Sequence, residues 1–340
     1  MKYFKLTVFT LCLLLMEFSF SISSSMGQTK PIKLSYSLFW PAGHPITVLA
    51  NEWGKEIERR TDGRVAITLF PSGILTPADK CYDGLVNGIS DIGSSALSYT
   101  RGRFPLMEVL DLPLGYKNAL VVARLSNAFY KKFQPKELAD VKVMYFHATG
   151  PTIFHTRKPV RTIEDLKGMK IRTTGLGTKI VVALGGAPVA MPMGETYEAL
   201  RKGVVDGSTA PIASLEGFRW GEVVKYTTEN FGSAFTTVFF VVMNKDVWRS
   251  LPPDQQKVIE SVNEEWIDKS GKVWDEYDKS GRNFALKLGN QIIPLPKEED
   301  ERWAKRLMST EDDYVKEMKE KGLLGEEALK FCLDFLKKNQ

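Results

Sequence analysis

Hydrophobic and polar positions repeat with two different periods along the chain. Residues 32–37 alternate between apolar and polar side chains, as a half-buried strand does, and residues 65–70 form a second strand pattern. Between them, Leu49, Trp53 and Ile57 recur four residues apart, which is the spacing of one helix face. Strand and helix patterns therefore alternate from the outset, and this order predicts an α/β fold.

The same alternation returns in the middle of the chain. The predicted elements there are a strand at 169–172, a helix at 179–184, a strand at 188–191 and a helix at 195–202. The ten residues from Tyr82 to Asp91 match the ten from Tyr197 to Asp206, with Tyr, Leu, Gly and Asp in register. Such an internal repeat favours two similar lobes. The alternative, that any helix-glycine-strand junction gives this pattern, stays open.

Two segments are predicted to cross between the lobes. The turn at Gly150-Pro151 separates strand patterns at 141–148 and 152–156, and the β-branched and aromatic run at 236–243 is a plausible return. A helical pattern then extends from Pro253 to Leu288, which at 1.5 Å per residue is roughly 50 Å and long enough to lie across both lobes.

The chain can be divided on this basis. We expect kinks in the long helix at Ser270-Gly271 and Ser280-Gly281, and two amphipathic helices after Glu298. The predicted divisions are a signal peptide at 1–27, a first lobe at 28–149 plus about 238–278, and a second lobe at 150–237 plus about 279–340.

The first 27 residues have the organisation of a secretory signal. Lys2 and Lys5 precede an apolar run at 6–16, and small residues follow up to Gly27. The apolar run is too short to span a bilayer. We expect this segment to be cleaved and the remaining chain to be exported.

Charge and composition exclude several classes of partner. The formal net charge is only +5, and basic residues alternate with acidic ones, so neither nucleic acid nor an anionic membrane surface is indicated. Beyond the signal, Cys81 and Cys332 each lie in a helical pattern and are expected to be free, half-buried thiols, although export would permit a disulfide. No Cys-x-x-Cys or His/Cys cluster predicts a metal site.

Motifs for catalysis and cofactor binding are missing as well. The chain has three histidines and no Gly-x-Ser-x-Gly or His-Glu-x-x-His motif, so we predict that it is not an enzyme. The run from Gly175 to Ile180 follows a strand and opens a helix, but Ile180 replaces the third glycine of a dinucleotide-binding loop. No cofactor is therefore predicted.

Arg172 is the strongest candidate for a ligand contact. It ends a predicted strand, and the carboxyl edge of an α/β sheet is where such folds bind ligands. The planar guanidinium matches a carboxylate, which favours a small organic acid. From the residues alone, a surface arginine paired with a neighbouring acid is the favoured interpretation, because most arginines are of this kind.

Two motifs carry a resemblance to a known family. They are Asp165-Leu166-Lys167-Gly168-Met169-Lys170-Ile171-Arg172 and Tyr197-Glu198-Ala199-Leu200-Arg201-Lys202-Gly203-Val204-Val205-Asp206-Gly207. Together with their spacing, they resemble the signature of substrate-binding proteins of tripartite ATP-independent periplasmic (TRAP) transporters. The resemblance implies a two-lobed periplasmic-binding-protein fold with a ligand cleft between the lobes and a long helix spanning both. It also implies a periplasmic receptor, expected to be a monomer, that delivers a small organic acid to small and large membrane subunits.

The resemblance also assigns ligand contacts. In TRAP proteins the equivalent of Arg172 holds the ligand carboxylate. This chain has Thr152, Met193 and Ala210 where many members have a second arginine, an aromatic residue and an asparagine, respectively. These departures imply a roomier, more apolar cavity.

Further candidates come from loops and strand ends that the resemblance places near the cleft. The aromatic candidates are Phe39, Trp40, Tyr99, Phe154, Trp220 and Phe235. Ser95 and Thr236 are candidate neutral hydrogen-bonding groups, and His44 is either a pocket donor or only a helix cap. This set favours a monocarboxylate with an apolar or aromatic tail. The alternatives are a C4-dicarboxylate or 2-oxoacid receptor, a binding protein that feeds a sensor kinase, and a secreted enzyme acting on an organic acid.

Overall fold

A computed structural model describes residues 30–340 apart from residue 101, so the predicted signal peptide lies outside the described residues. The chain builds two sheets. The first contains β1 (Ile32–Leu38), β2 (Val65–Phe70), β3 (Ile92–Ala96), β4 (Val141–Ala148) and β10 (Val238–Asn244), in the order β2-β1-β3-β10-β4. The second contains β5 (Ile153–Thr156), β6 (Lys170–Thr173), β7 (Ala187–Ala190), β8 (Gly207–Ala210), β9 (Tyr226–Glu229) and β11 (Gln291–Pro294), in the order β11-β9-β5-β8-β6-β7.

The two sheets share one topology, as the internal repeat predicts. Each has three parallel strands, β2-β1-β3 in one and β7-β6-β8 in the other, followed by an antiparallel strand, β10 or β5. The repeated aspartates occupy the same place: Asp91 Oδ2 accepts from the backbone N–H of Ser35 at 2.7 Å, and Asp206 Oδ2 from that of Lys170 at 2.8 Å. Both carboxylates thus join the start of one parallel strand to its neighbour.

Helices cover the sheets. They are α1 (Pro45–Arg60), α2 (Cys81–Val86), α3 (Ala119–Phe133), α4 (Gly177–Ala183), α5 (Met193–Arg201), α6 (Ser214–Gly217), α7 (Lys245–Ser250), α8 (Pro253–Lys287), α9 (Lys297–Arg306), α10 (Ser309–Glu320) and α11 (Gly325–Asn339). Short 3-10 turns lie at Ala78–Lys80, Leu97–Tyr99, Leu106–Asp111, Lys136–Leu138, Ile163–Leu166, Trp220–Glu222 and Phe231–Ser233. None of the described helices is both long enough and apolar enough to cross a bilayer.

The long helix α8 spans both lobes without a break in its helical assignment. It packs against α1, α3 and β4 of the first lobe and against α6 and β11 of the second. The glycines at the expected kinks allow close packing. A Cβ at Gly271 would lie 2.5 Å from the Cα of Leu120, and one at Gly281 would lie 2.5 Å from the carbonyl oxygen of Ile212. Neighbouring backbone therefore approaches the helix at both positions.

The C-terminal tail departs from its predicted assignment. It forms three helices after β11, where two were expected, and α10 and α11 pack on the core of the first lobe although 279–340 was assigned to the second. Met318 and Cys332 join Phe129 of α3 in that core, whereas Trp303 of α9 packs on the second lobe. Cys81 also lies in the first-lobe core, and both cysteines are free and fully buried. Apolar faces with 3.6-residue period identify such helices, but not the lobe they cover.

The two crossing segments pair with each other between the lobes. The backbone N–H of Thr152 donates to the carbonyl of Phe235 at 2.7 Å, and that of Thr149 donates to Thr237 at 3.1 Å. These hydrogen bonds join the outgoing and returning chains into a short two-stranded hinge. The hinge borders the space between the lobes.

Candidate functional site

A cavity lies between the two lobes, beside the hinge. The empty space within it, including the part that opens to solvent, is about 480 Å³. It is lined by Phe39, Trp40, His44, Tyr99, Thr149, Thr152, Arg172, Thr174, Met193, Thr209, Ala210, Pro211, Ser214, Phe218, Phe235, Thr237, Phe239 and Trp274. Both lobes, the hinge and α8 contribute to this lining.

Arg172 reaches the cavity from β6 and is only 3% exposed. Its Nε donates to the carbonyl of Met191 at 2.9 Å and its Nη1 to that of Thr209 at 3.4 Å, whereas Nη2 is buried with no hydrogen-bond partner. No acidic side chain of the described residues forms a salt bridge with it. Burial lowers the pKa of Arg172, and the nearby Tyr99 phenol and Glu195 oppose that shift. A surface arginine paired with an acid is therefore excluded.

Thr152 supplies a second unsatisfied polar group to the same cavity. Its side chain is 2% exposed, and its Oγ1 is buried without a hydrogen-bond partner. Buried hydroxyl and guanidinium groups are normally satisfied, because leaving one unpaired costs roughly 1–3 kcal/mol or more. The Thr152 hydroxyl and the Nη2 group of Arg172 are therefore both buried donors that a ligand oxygen could satisfy.

Tyr99 connects the lobes next to the guanidinium. It belongs to the first lobe, and its hydroxyl accepts a 3.3 Å hydrogen bond from the backbone N–H of Met193, the first residue of α5 in the second lobe. Burial raises the pKa of Tyr99, and the positive charge of Arg172 counters part of the rise. The phenol therefore stays neutral and can act as a donor at the cavity.

Aromatic rings form a wall on the first-lobe side. Phe39 stacks on Trp40 with 4.0 Å between ring centroids, and Trp40 meets Phe239 edge-on at 5.0 Å. Phe239 in turn lies nearly parallel to Trp274 at 5.8 Å. Flat, rigid rings of this kind favour an apolar or aromatic ligand body, with offset-stacked and edge-to-face contacts available.

Comparison with known proteins identifies the family and the fold. Residues 36–318 match the model of bacterial extracellular solute-binding proteins, family 7. The chain belongs to this family, the DctP-type solute-binding proteins of TRAP transporters. The predicted two-lobed α/β fold is confirmed.

Two solved structures are similar over nearly the whole chain. A TRAP solute-binding protein of Rhodoferax ferrireducens in complex with copurified benzoate is 28% identical, with a TM-score of 0.86, covering 90% of this chain and 98% of that one. A marine metagenome TRAP solute-binding protein specific for aromatic acids, in complex with metahydroxyphenylacetate, is 27% identical, with a TM-score of 0.87 and coverage of 90% and 99%. The C4-dicarboxylate-binding periplasmic protein DctP of Vibrio cholerae is 23% identical over 286 residues, which are 81% of this chain and 83% of that protein.

In the present chain, nine of the thirteen candidate residues lie together at the cavity. They are Phe39, Trp40, His44, Tyr99, Thr152, Arg172, Met193, Ala210 and Phe235. The other four lie elsewhere. Ser95 Oγ donates to the carbonyl of Ala78 at 2.6 Å inside the first lobe, and Thr236 Oγ1 donates to the carbonyl of Thr149 at 2.8 Å in the hinge.

Phe154 and Trp220 are packing residues of the second lobe. Phe154 meets Trp303 edge-on, with ring centroids 5.5 Å apart, in that lobe's core. Trp220 lies behind the site, with its ring centroid 5.7 Å from the guanidinium carbon of Arg172. It therefore supports the arginine from outside the cavity lining.

Nine lining residues were not singled out in the sequence. They are Thr149, Thr174, Thr209, Pro211, Ser214, Phe218, Thr237, Phe239 and Trp274. Thr209 lies two residues after the Val-Asp-Gly motif and could have been found there. Phe239 could not, because β10 is buried on both faces and its sequence does not show which side chains turn to the cleft.

All three histidines are buried and neutral. Burial lowers the pKa of His44 and of His147 to about 3 and that of His155 to about 4. Arg172 is consequently the one charged side chain among the lining residues that the structure describes. Within the described part of the chain, no three His, Cys, Asp or Glu side chains are grouped to hold a metal ion.

Proposed function

We propose that this protein is the periplasmic receptor of a TRAP transporter and binds a monocarboxylate with an aromatic or apolar tail. The observation that carries the proposal is the buried Nη2 of Arg172, which has no protein partner. A carboxylate would supply the missing acceptor and the missing counter-charge together.

The charge balance of the cavity supports one carboxylate and not two. Arg172 is matched by a single negative charge, and the other polar lining groups are hydroxyls and a neutral imidazole. Thr152, where many family members have a second arginine, adds a neutral donor. A C4-dicarboxylate would leave its second carboxylate buried without a cation, which is unfavourable.

The aromatic wall supports the nature of the tail. The stacked rings of Phe39 and Trp40 and the Phe239–Trp274 pair offer flat apolar surface opposite a charged anchor. Similar solved proteins hold benzoate and metahydroxyphenylacetate. Those ligands combine one carboxylate with one ring, as this cavity favours.

Membership of the family supports the remaining parts of the proposal. The receptor would be exported to the periplasm as a monomer and would deliver its ligand, unchanged, to the small and large membrane subunits. A 2-oxoacid ligand, delivery to a sensor kinase and an enzymatic role are the alternatives. Incubation followed by mass spectrometry separates the last of these, because a receptor returns the acid unaltered.

Isothermal titration calorimetry with benzoate and succinate tests the ligand class. We expect benzoate to bind the wild type and succinate to bind far more weakly. Arg172→Gln and Arg172→Lys should both lose benzoate binding, because neither side chain reproduces the guanidinium fork. Arg201→Gln, at an exposed arginine paired with Glu198, is the matched control and should bind normally. Tight succinate binding, or benzoate binding that persists in folded Arg172 variants, would overturn the proposal.

A further inference from the structure

We propose that Leu176 is a closure latch: its side chain, carried by the second lobe, inserts into the first lobe and helps to hold the cleft shut on a ligand. This proposal rests on the proposed function, because it concerns how the receptor closes on its acid. It also gives a purpose to Gly175 and Gly177, which are too few for a dinucleotide-binding loop. Leu176 is a positioning residue, since it is absent from the ligand-cavity lining that the described residues form.

Leu176 belongs to the second lobe by its place in the chain but packs in the core of the first. It lies between β6 and α4 and is 8% exposed. Among the described residues of 150–237, it alone joins the hydrophobic core that contains Leu97 and Phe104 of the first lobe. All three side chains also line a second cavity between the lobes. Separation of the lobes would return the apolar surface of Leu176 to water, so this contact favours the closed arrangement.

Glycines on both sides of Leu176 allow it to reach this position. Gly175 has a φ of +51°, and a Cβ there would lie 2.7 Å from the Cβ of Ser98 in the first lobe. Its backbone therefore comes closer to the first lobe than a residue with a side chain permits. A Cβ at Gly177 would lie 2.7 Å from the ring of Phe235, which lines the ligand cavity. The two close approaches seat Leu176 between the first lobe and the hinge.

The latch is joined to the ligand site by a short piece of backbone. Leu176 lies four residues after Arg172, and Thr174 between them lines the same cavity as the guanidinium. The backbone N–H of Gly177 donates to the carbonyl of Thr174 at 2.9 Å, and that of Lys179 donates to the carbonyl of Leu176 at 2.9 Å. These hydrogen bonds hold the piece in one shape. A carboxylate held by Arg172 therefore lies on the same turn of chain that carries the latch.

A latch changes the balance between the open and closed forms and not the contacts that a ligand makes. If an acid binds the closed form, its apparent affinity falls in proportion to the population of that form, by the same factor for every acid. A residue of the cavity lining behaves differently, because its replacement affects ligands of different shape unequally. Equal losses for two unlike acids are therefore the signature of a latch.

Leu176→Ala tests the latch with benzoate and phenylacetate, whose tails differ in length. We expect calorimetry to show a roughly ten- to fiftyfold loss of affinity that is equal for the two acids, because less apolar surface is buried on closure. The free energy of unfolding of the unliganded protein should stay near that of the wild type, because the open form leaves residue 176 outside the first-lobe core. Val182→Ala, at a 59% exposed residue of α4, is the matched control and should bind both acids normally.

A second pair of substitutions tests the contact from both lobes. Gly175→Ala should weaken the binding of both acids, because its methyl group meets Ser98 on closure. Ser98→Gly removes the opposing Cβ and should restore part of the affinity in the double variant, which a purely local effect of the alanine would not allow.

Three results would overturn the inference and leave the proposed function intact. They are unchanged or unequal affinities in Leu176→Ala, a loss of unliganded stability as large as the loss of binding free energy, and no rescue of Gly175→Ala by Ser98→Gly. If the wild type binds neither acid, the proposed function fails and the latch fails with it.

Discussion

Asp275 and Asp278 lie one turn apart on α8 and hold the two lobes separately. Asp275 Oδ1 accepts a 2.7 Å hydrogen bond from the backbone N–H of Ala119, the first residue of α3 in the first lobe. Asp278 Oδ1 accepts a 3.0 Å hydrogen bond from that of Ala213, just before α6 in the second lobe. Each carboxylate satisfies a backbone donor at a helix start. The shared helix thereby fixes both lobes at neighbouring points next to the hinge.

Asp278→Asn should change how stability depends on pH. Burial raises the pKa of Asp278 from 3.8 to about 7, so the folded protein holds a proton that the unfolded chain releases at lower pH. The contribution of Asp278 to the free energy of unfolding is therefore fully present at acidic pH, and it is lost as pH rises from about 4 to about 7. Asparagine keeps the acceptor for Ala213 and removes the titration. Between pH 5 and pH 8 the wild type should lose roughly 2 to 3 kcal/mol of unfolding free energy relative to the variant.

Urea denaturation at the two pH values provides the measurement. Asp246→Asn is the control, because that exposed carboxylate caps no other element and pairs only with Arg249 among the described residues. If the free energy of unfolding changes with pH equally in the wild type and in Asp278→Asn, Asp278 is ionised in the folded state and the prediction is wrong.

Gly217→Ala should weaken ligand binding without touching Arg172. A Cβ at position 217 would clash with the hydroxyl of Tyr277 and lie 3.0 Å from the His44 ring, so these side chains must shift to admit the methyl group where the second lobe meets the first. We expect an increase in the radius of gyration of the benzoate-saturated protein by small-angle X-ray scattering and at least a tenfold loss of affinity. Gly194→Ala is the matched control, since a Cβ there meets nothing within 4 Å. Unchanged affinity in Gly217→Ala would mean that closure tolerates the methyl group.

Lys179→Ala should weaken closure slightly and in a salt-dependent way. Lys179 of α4 pairs with Glu317 of α10 at 2.9 Å, which links the second lobe to a helix packed on the first. Both side chains are substantially exposed, so we expect at most about a fivefold loss of benzoate affinity at low ionic strength and little loss at high ionic strength. Calorimetry at two salt concentrations checks this. A loss that does not depend on salt would point to packing by the lysine stem instead.

Phe154→Ala should destabilise the protein and leave ligand preference unchanged. The ring is fully buried against Trp303 and does not line the cavity, so its removal leaves a core void worth about 3–5 kcal/mol. Denaturation gives the free energy of unfolding, and calorimetry gives the benzoate-to-succinate affinity ratio. Phe231→Ala, at a residue 51% exposed, is the control. A changed ratio in the Phe154 variant would place that ring at the ligand after all.

The sequence predicted the strands around the site better than the directions of individual side chains. Periodicity located β2 and β4 at their observed bounds, and the repeat from Tyr82 to Asp91 predicted the shared topology. In the paired hinge segments, neighbouring residues point to different sides, so Thr237 lines the cavity whereas Thr236 binds the backbone of Thr149. A one-residue difference of this kind is set by strand pairing, which a single sequence does not reveal.

The order of strands in the first sheet also constrains how the chain can fold. β10 lies between β3 and β4, although it is synthesised only after most of the second lobe. Until the chain has been synthesised as far as Asn244, β10 is missing from its place between β3 and β4. Each of these two strands then keeps an unpaired edge. A fragment ending before residue 238 should therefore be prone to aggregation, and complementation by a separate C-terminal fragment should require both pieces to be present during refolding.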